Sequence, residues 1–178
     1  LEEARIWVRT FRNDLLRDPE FASGTTIAVA NYKGGVSKTT TAAALSQGLS
    51  LRGHRVLVVD TDPQGSLTTL FGVLPDTEVE PEQTILSLCT GDDESIMPAI
   101  QKTYWDGIDL VAAAPILFNA EFLLPSRQAN DPDFAFWRVL DAGLEEARNV
   151  YDVIIIDTPP SLSYITINAL IAADGVLM

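Results

Sequence analysis

Two of the three lysines in this 178-residue sequence stand five positions apart in one glycine-containing loop, ANYKGGVSKTTT, at residues 30–41. Lys38 is followed directly by Thr39, which is how the phosphate-binding pattern G-x-x-x-x-G-K-[ST] ends. Tyr32 and Ser37 stand where that pattern has glycine. The loop is therefore either a degraded phosphate site or a phosphate site of a different kind.

The surroundings of the loop favour phosphate binding. The loop joins a short apolar strand to the start of a helix, where backbone N–H groups and the helix dipole attract anions. Gly34 and Gly35 let the backbone curl without a Cβ atom in the way of a phosphate. Lys38 can reach terminal phosphates, and Thr39 supplies a hydroxyl group for Mg²⁺.

Ser37 and Lys33 are the unusual residues of the loop. A small serine is acceptable at a helix start, so we expect phosphate binding to survive there if the backbone of Ser37 needs no positive φ. Lys33 has no structural reason to precede Lys38 by five residues. It is either a surface lysine near the mouth of the site, or a second cation for a triphosphate in the same subunit or across a dimer.

Three aspartates follow apolar strands in the sequence. Asp60 and Asp62 come after the strand at 55–60, and Asp157 ends the strand at 152–157. A single aspartate in such a turn commonly caps a helix. Three of them at the same edge of a sheet as a phosphate loop indicate carboxylates for Mg²⁺ and for the attacking water.

Apolar runs alternate with helical patterns along the chain, which indicates an α/β fold with a mostly parallel sheet flanked by helices. Ligands of such sheets bind at the carboxyl ends of the strands. The predicted strands are 25–31, 55–60, 107–114, 152–157 and a buried one from 175, and the predicted helices are 38–52, 133–149 with Asp133 as its cap, and 162–172.

Two segments fall outside this alternation. Residues 3–17 read as an amphipathic helix with Ala4, Val8, Phe11 and Leu15 on one face. It is an accessory helix, a connector to an upstream module, or a dimer contact. Residues 73–94 hold seven acidic residues and no basic one, which indicates a solvated surface excursion. We therefore expect a helix and linker over 1–23, a core over 24–178 that is incomplete at its C-terminal end, and further chain beyond both ends.

Composition excludes several function classes. The net charge of −13 disfavours nonspecific DNA binding by this segment itself. One cysteine, Cys89, rules out an internal disulfide framework and a clustered-thiol metal site. There is no run of eighteen apolar residues that would predict a membrane span. These features favour a cytoplasmic protein with no membrane partner.

Three blocks of the sequence carry a family resemblance. KGGVSKTTT resembles the deviant Walker A loop of the ParA family of DNA-partitioning ATPases, VLVVDTDPQGSLT resembles its switch I segment, and YDVIIIDTPPSLS resembles its Walker B and switch II segment. The resemblance covers residues 24–178 and is closest to larger plasmid or replicon-type members. It implies a P-loop NTPase-like fold with ATP or ADP and Mg²⁺ as cofactors.

The resemblance also implies roles in nucleotide binding. Lys33 would reach the nucleotide of the partner subunit in an ATP-bound dimer, Lys38 would bind the β- and γ-phosphates, and Thr40 would touch the α-phosphate. Backbone N–H groups would come from Gly34, Gly35, Val36 and Ser37.

Three residues would form the implied magnesium and water site. Thr39 would ligate Mg²⁺, Asp157 would support the metal shell, and Asp62 would stand beside the metal and orient the attacking water. Lys33, Lys38 and Asp62 are thus the implied catalytic residues. Asp60 is a candidate for supporting this site from behind.

The function implied by the resemblance is segregation of plasmid or chromosomal DNA by an ATPase that dimerises with Mg-ATP, works with a ParB-like partner and associates with the nucleoid. Nonspecific DNA contacts would come from regions outside this segment, and autorepression is a further implied role. Two alternatives stay open. One is a membrane-associated positioning ATPase of the MinD type, and the other is a transcriptional repressor that uses nucleotide only as a signal.

Overall fold

The computed structural model describes residues 2–12, 16–18, 20 and 22–178. Six strands of this part form one sheet: β1 (Thr25–Val29), β2 (Val56–Asp60), β3 (Gln101–Lys102), β4 (Ile108–Val111), β5 (Val153–Asp157) and β6 (Gly175–Leu177). Their order across the sheet is β3-β4-β2-β5-β1-β6. All neighbours pair in parallel except β3, which runs antiparallel to β4. The mostly parallel sheet predicted from the sequence is confirmed.

Helices cover both faces of the sheet, as predicted. The described helices are α1 (Glu2–Phe11), α2 (Lys38–Leu51), α3 (Ser66–Leu70), α4 (Leu86–Thr90), α5 (Ala120–Asn130), α6 (Val139–Gly143), α7 (Ala147–Val150) and α8 (Tyr164–Ala172). Short 3₁₀ turns lie at Pro81–Gln83, Met97–Ala99, Pro115–Asn119 and Phe136–Arg138.

The central strands are apolar throughout because both of their faces are buried. Along β2, Val56 and Val58 point into one core with α2 and α3, whereas Leu57 and Val59 point into the other with α4, α5, α6 and α8. Every residue of β2, β4 and β5 is buried. The side-chain period of two therefore sorts neighbouring residues of one strand into two separate cores.

The N-terminal helix is shorter than predicted and packs through different residues. α1 ends at Phe11, and residues 13–15 of the predicted helix lie outside the described residues. Ala4 and Phe11 are exposed, whereas Arg5 is buried with a 2.9 Å ion pair to Asp106. The guanidinium group of Arg5 lies flat on Gly107, where a Cβ atom would overlap it. The predicted apolar packing face is thus wrong, because charged contacts at the amino ends of the strands hold the helix instead.

The helix predicted at 133–149 is broken into a 3₁₀ turn, α6 and α7, and Asp133 does not cap it. The reason lies in Asn168 of α8, which reaches across to this segment. Its side chain accepts a hydrogen bond from the backbone N of Leu140 at 3.1 Å and donates to the backbone O of Phe136 at 2.8 Å. These bonds replace intrahelical ones, so the segment changes direction at residues 136–140.

Two other expectations about exposure are corrected. The acidic segment 73–94 is not wholly a solvated excursion, because Ile85, Leu86, Leu88 and Cys89 are buried in the core around α4. The apolar strand β6 lies at an edge of the described sheet, and all three of its residues are exposed. Within the described residues β6 has a neighbouring strand on one side only, so its side chains are less covered than those of β2 and β5.

Candidate functional site

The phosphate loop leads from the carboxyl end of β1 into the first turn of α2. Gly35 has a φ of 72°, and Ser37 has a φ of 63° and a ψ of 25°. A Cβ atom added to Gly34 or Gly35 would meet no protein atom within 4 Å. The glycines therefore border open space and keep it accessible to a ligand.

Ser37 contradicts the condition under which its substitution for glycine was expected to be harmless. It is the one non-glycine residue with positive φ in the described part of the chain. The left-handed conformation costs a residue with a Cβ atom about 1–2 kcal/mol, and the Ser37 side chain makes no capping hydrogen bond in return. The loop thus keeps the curl of a glycine-containing phosphate loop at a cost in backbone strain.

An open cavity of about 400 Å³ lies in front of the loop. Its walls bring together most of the residues predicted for the nucleotide and water site, although these come from three separate segments. The lining residues are Gly34, Gly35, Val36, Ser37, Lys38, Thr39, Thr40, Asp62, Ser66, Leu70 and Pro160.

Lys33 does not line this cavity. It is exposed, and its backbone N–H donates to Oδ1 of Asn31 at 3.0 Å, which holds the loop at its start. The second lysine therefore stands outside the phosphate cavity of its own chain. One functional alternative was that Lys33 acts as a second cation in the site of its own chain. The position of Lys33 outside that cavity does not support this alternative.

Asp157 is buried behind the loop with an unusual lack of partners. Its side chain is 0% exposed, and neither carboxylate oxygen reaches a hydrogen-bond partner at good distance and angle. Burial raises the pKa of Asp157 to about 6. The Thr39 hydroxyl, the Lys38 ammonium group and the backbone N–H of Thr158 lie near enough to lower this pKa, while the charge of Asp62 raises it. A buried carboxylate without partners is costly, and it is the acceptor that a metal-bound water requires.

The backbone around Asp157 is held firmly even though its carboxylate is free. The carbonyl O of Asp157 accepts from the Thr61 hydroxyl at 2.6 Å and from the Thr61 backbone N at 3.0 Å. The next residue, Thr158, donates its hydroxyl to the carbonyl O of Val29 at 2.9 Å. These two threonines fix the end of β5 between the ends of β2 and β1.

Asp60 differs from Asp157 in that its carboxylate accepts several hydrogen bonds. It is also 0% exposed, but it accepts hydrogen bonds from the backbone N and hydroxyl of Thr68, both at 2.8 Å, and from the backbone N of Asp62 at 3.1 Å. Burial, followed by the charge of Asp157, raises the pKa of Asp60 to about 7, and these hydrogen bonds oppose the rise. Asp60 therefore shapes the turn that presents Asp62, and its predicted support of the magnesium and water site stays a prediction.

Asp62 is partly buried and lies on the wall of the cavity. Its Oδ1 accepts from the backbone N of Gln64 at 3.0 Å, and its carbonyl O accepts from the backbone N of Gly65 at 2.8 Å. These bonds fold residues 62–65 into a tight turn. Among the described residues none donates a hydrogen bond to Oδ2 of Asp62, so this oxygen stays available to a ligand or a water.

The sequence interpretation missed the three threonines Thr61, Thr68 and Thr158. A signal for two of them was present, since the dipeptide Asp-Thr ends both β2 and β5. Thr68 has no such signal, because its role depends on a turn that returns the chain to Asp60.

The residues of this site fit Mg²⁺ bound together with phosphates. No group of three or more His, Cys, Asp or Glu residues that could hold a metal occurs in the described part of the chain. Mg²⁺ in nucleotide sites keeps several waters and takes few protein ligands, so one hydroxyl group and one unpaired buried carboxylate suffice. Among the described helices, none combines the length and apolar character required to cross a membrane.

Comparison with known proteins gives a consistent family assignment. A family model described as an AAA domain matches residues 24–178. The chain is 44% identical over 158 residues to a putative replication protein A of Sinorhizobium fredii, 39% identical over 158 residues to the sporulation initiation inhibitor protein Soj of Bacillus subtilis, and 36% identical over 154 residues to the chromosome partitioning protein ParA of Caulobacter vibrioides. These matches cover 85%, 87% and 85% of this chain.

Solved structures of similar proteins superpose on most of this chain. A Mycobacterium smegmatis protein described as cobyrinic acid a,c-diamide synthase, with a bound ATP analogue and magnesium, superposes with a TM-score of 0.75 at 39% identity, over 86% of this chain and 57% of that one. An ATP complex of a McdA variant from Cyanothece also gives a TM-score of 0.75, at 32% identity, over 87% of this chain and 55% of that one.

The chain spans only part of each relative: 38% of the Sinorhizobium protein, 57% of Soj and 54% of the Caulobacter protein. The family model nevertheless matches most of the chain, and the matched region contains the loop, both Asp-Thr strand ends and the parallel sheet. The chain belongs to the AAA-domain family of P-loop proteins, and within it to the ParA family of partition ATPases.

Proposed function

We propose that this chain is the nucleotide-binding part of an Mg-ATP-dependent partition ATPase that hydrolyses ATP to ADP and phosphate. One observation carries the proposal: the unpaired, buried carboxylate of Asp157 lies behind a curled phosphate loop that opens onto a cavity. The ATP-bound and magnesium-bound structures of similar proteins support ATP and Mg²⁺ as the cofactors.

We propose a task for each residue of the phosphate loop from Gly34 to Thr40 and for the two aspartates Asp62 and Asp157. The backbone N–H groups of residues 34–37 and the ammonium group of Lys38 bind the phosphates, and Thr40 contacts the α-phosphate. Thr39 and Asp157 hold Mg²⁺ and its waters, and Asp62, beside the metal, orients the attacking water. Bound Mg²⁺ neutralises charge that develops on the phosphate oxygens, so positioning and electrostatics supply most of the catalysis.

Lys33 supports a dimeric form of the enzyme. Its exposed side chain lies outside the cavity of its own chain, so the partner nucleotide is the proposed target of its charge. ATP between two subunits would then gain a lysine from each of them. ADP lacks the γ-phosphate and attracts the second lysine less, which makes the dimer depend on the state of the nucleotide.

The wider function follows from the relatives. Partition proteins are among the similar proteins, and a ParB-like partner that stimulates hydrolysis is the proposed regulator. The net charge of −13 means that nonspecific DNA contacts belong to regions outside this segment. The proposed location is the nucleoid in the cytoplasm, with no membrane partner, and residues 1–23 are proposed as a helix and linker to an upstream module.

Sedimentation of the full-length protein with Mg²⁺ and either ATP or ADP tests this function. Asp62→Ala slows hydrolysis and traps the ATP state, so this variant is expected to dimerise with ATP and to stay monomeric with ADP. Adding Lys33→Ala is expected to abolish the dimer while nucleotide binding persists. Arg52→Ala, which also removes one exposed cation, is the control and is expected to leave the dimer intact.

A monomer under all conditions, or a dimer that ignores nucleotide, would contradict the proposed switch. The repressor alternative would then gain support, and an operator footprint that changes with ADP or ATP would test it directly.

A further inference from the structure

Three backbone N–H groups in the first turn of α8, those of residues 164–166, have no acceptor within the helix, because the first N–H groups of any α-helix lack one. The N–H of Thr166 donates to the hydroxyl of Ser163 at 3.1 Å. The N–H groups of Tyr164 and Ile165 donate to the two carboxylate oxygens of Glu121, at 3.1 and 3.3 Å. Glu121 thus holds two of the three donors, although it stands more than forty residues earlier in the chain.

The helix held in this way begins directly after the loop that follows Asp157. At its near end this loop is fixed by the Thr158 hydroxyl bond to Val29. At its far end the Thr166 hydroxyl donates to the carbonyl O of Ser161 at 2.7 Å, and the helix start itself rests on Glu121. The loop at 158–163 is therefore anchored at one end on β1 and at the other end, through the start of α8, on the carboxylate of Glu121.

Glu121 is anchored well enough to determine where α8 begins. It lies in the first turn of α5, whose residues Ala120 and Leu124 are fully buried in the core. A carboxylate at a helix N-terminus also interacts favourably with the helix dipole. Glu121 thus combines a negative charge, two accepted hydrogen bonds and a position on a helix that is anchored in the core. It belongs to none of the sequence motifs of the nucleotide site.

We propose that Glu121 is a positioning residue for the nucleotide site, because it sets the start of α8 and through it the loop at 158–163, which follows Asp157 and carries Pro160. This inference rests on the proposed function as an ATPase. Glu121 does not line the phosphate cavity itself, whereas Pro160 does. Glu121 acts on hydrolysis by fixing where the loop at 158–163 stands beside the cavity when Mg²⁺ and nucleotide are bound.

The test compares Glu121→Ala and Glu121→Gln in the full-length protein. Glutamine keeps the length and one acceptor oxygen, whereas alanine removes both acceptors. A misplacement of about 1 Å that a mutation far from the chemistry causes can cost about 100-fold in rate. We expect Glu121→Ala to lower kcat about tenfold and to raise the Mg²⁺ concentration for half-maximal activity, with KM for ATP within about twofold of wild type. The kcat and the Mg²⁺ dependence of Glu121→Gln should lie between those of Glu121→Ala and those of wild type.

A second measurement locates the effect. Hydrogen exchange of the peptide that spans residues 158–168 should become faster in Glu121→Ala, while exchange of the phosphate-loop peptide at 30–41 should stay unchanged. Glu145→Gln removes an exposed glutamate charge and is expected to match wild type in all of these measurements.

Two results would overturn the proposal. One is a kcat and Mg²⁺ dependence of Glu121→Ala within twofold of wild type. The other is a parallel loss of ATP binding and kcat in both variants together with faster exchange throughout the chain, which would mean that Glu121 only stabilises the fold. Failure of the wild-type protein to bind or hydrolyse ATP would be a separate result, because it would contradict the proposed function before Glu121 is tested.

Discussion

Asp60 and Asp157 are directly paired residues at the carboxyl ends of the neighbouring parallel strands β2 and β5. Both are 0% exposed, yet Asp60 accepts three hydrogen bonds and Asp157 accepts none at its carboxylate. The same position on two strands thus carries two tasks. One carboxylate organises the protein, and the other is left for a ligand.

Asp157→Asn is expected to stabilise the nucleotide-free protein while it removes Mg²⁺-dependent hydrolysis. Burial raises the pKa of Asp157 from 3.8 to about 6, so the folded protein takes up a proton that the unfolded chain has lost. The ionised carboxylate therefore lowers folding stability, with no cost below pH 3.8 and the full cost above about pH 6. We expect a gain of about 1–2 kcal/mol for the variant at pH 8.

Urea unfolding of both proteins at pH 8 and pH 4.5, without nucleotide, measures this gain, which should shrink at the lower pH. Addition of Mg²⁺ and ADP should raise the stability of wild type much more than that of the variant. Equal stabilisation of both by Mg²⁺ and ADP would contradict the metal role of Asp157.

Ser37→Gly is expected to raise the free energy of unfolding by about 1 kcal/mol, because glycine adopts a φ of 63° without the steric cost that serine has. Thermal or urea unfolding measures the change. Ala44→Gly, at an exposed position in the interior of α2, is the control, and it should lower stability by about 1 kcal/mol. A loss of stability in Ser37→Gly would mean that the left-handed backbone at this position is not strained.

Asp152→Asn is expected to destabilise the protein at neutral pH but hardly at acid pH. Burial tends to raise the pKa of Asp152, but hydrogen bonds from the side chain and backbone of Arg55, and from Arg17, lower it below 3.8 overall. A lowered pKa means that the carboxylate stabilises the fold above pH 3.8, and that this stability is lost as the pH falls through and below that value.

Loss of these contacts should cost about 2 kcal/mol at pH 7. Urea titrations at pH 7 and pH 3 give the comparison, with Asp76→Asn as an exposed control that should stay within about 0.5 kcal/mol of wild type. An effect of Asp152→Asn that is as large at pH 3 as at pH 7 would rule out the ionised carboxylate as its cause.

Asn168→Ala is expected to lower stability by about 2–3 kcal/mol, since it leaves the buried backbone N of Leu140 without an acceptor and removes two donated bonds. Chemical unfolding measures the loss. Asn149→Ala removes an exposed amide with one long hydrogen bond of 3.4 Å and should have little effect. Equal losses of stability in both variants would mean that the hydrogen bonds from Asn168 to residues 136 and 140 contribute no more than those of an exposed amide.

Much of the site could be predicted because its residues follow one another in sequence. Lys38 and Thr39 are adjacent at a strand-to-helix junction, and the aspartates end apolar strands, so one parallel sheet edge collects them. The roles themselves stay predictions, whereas the meeting of Lys38, Thr39 and Asp62 at one cavity is observed.

The remainder depended on partners that are distant along the chain. Glu121 meets α8, and Asn168 meets the segment that was expected to be one helix, only after the fold brings them together. Periodicity also assigned α1 an apolar face, while Arg5 found Asp106 and Gly107 far along the chain. Local patterns predict elements well, but they contain no information on side chains that compete from another element.

The position of β1 between β5 and β6 has a consequence for synthesis on the ribosome. The phosphate loop is translated before β5 and β6, and β1 pairs with these two strands, which emerge well over a hundred residues later. Contacts of such long range form slowly, and until then β1 has no neighbours in the sheet. A nascent chain that ends before residue 153 would present the loop without the strand that carries Asp157, so the candidate site can assemble only after β5 has been synthesised.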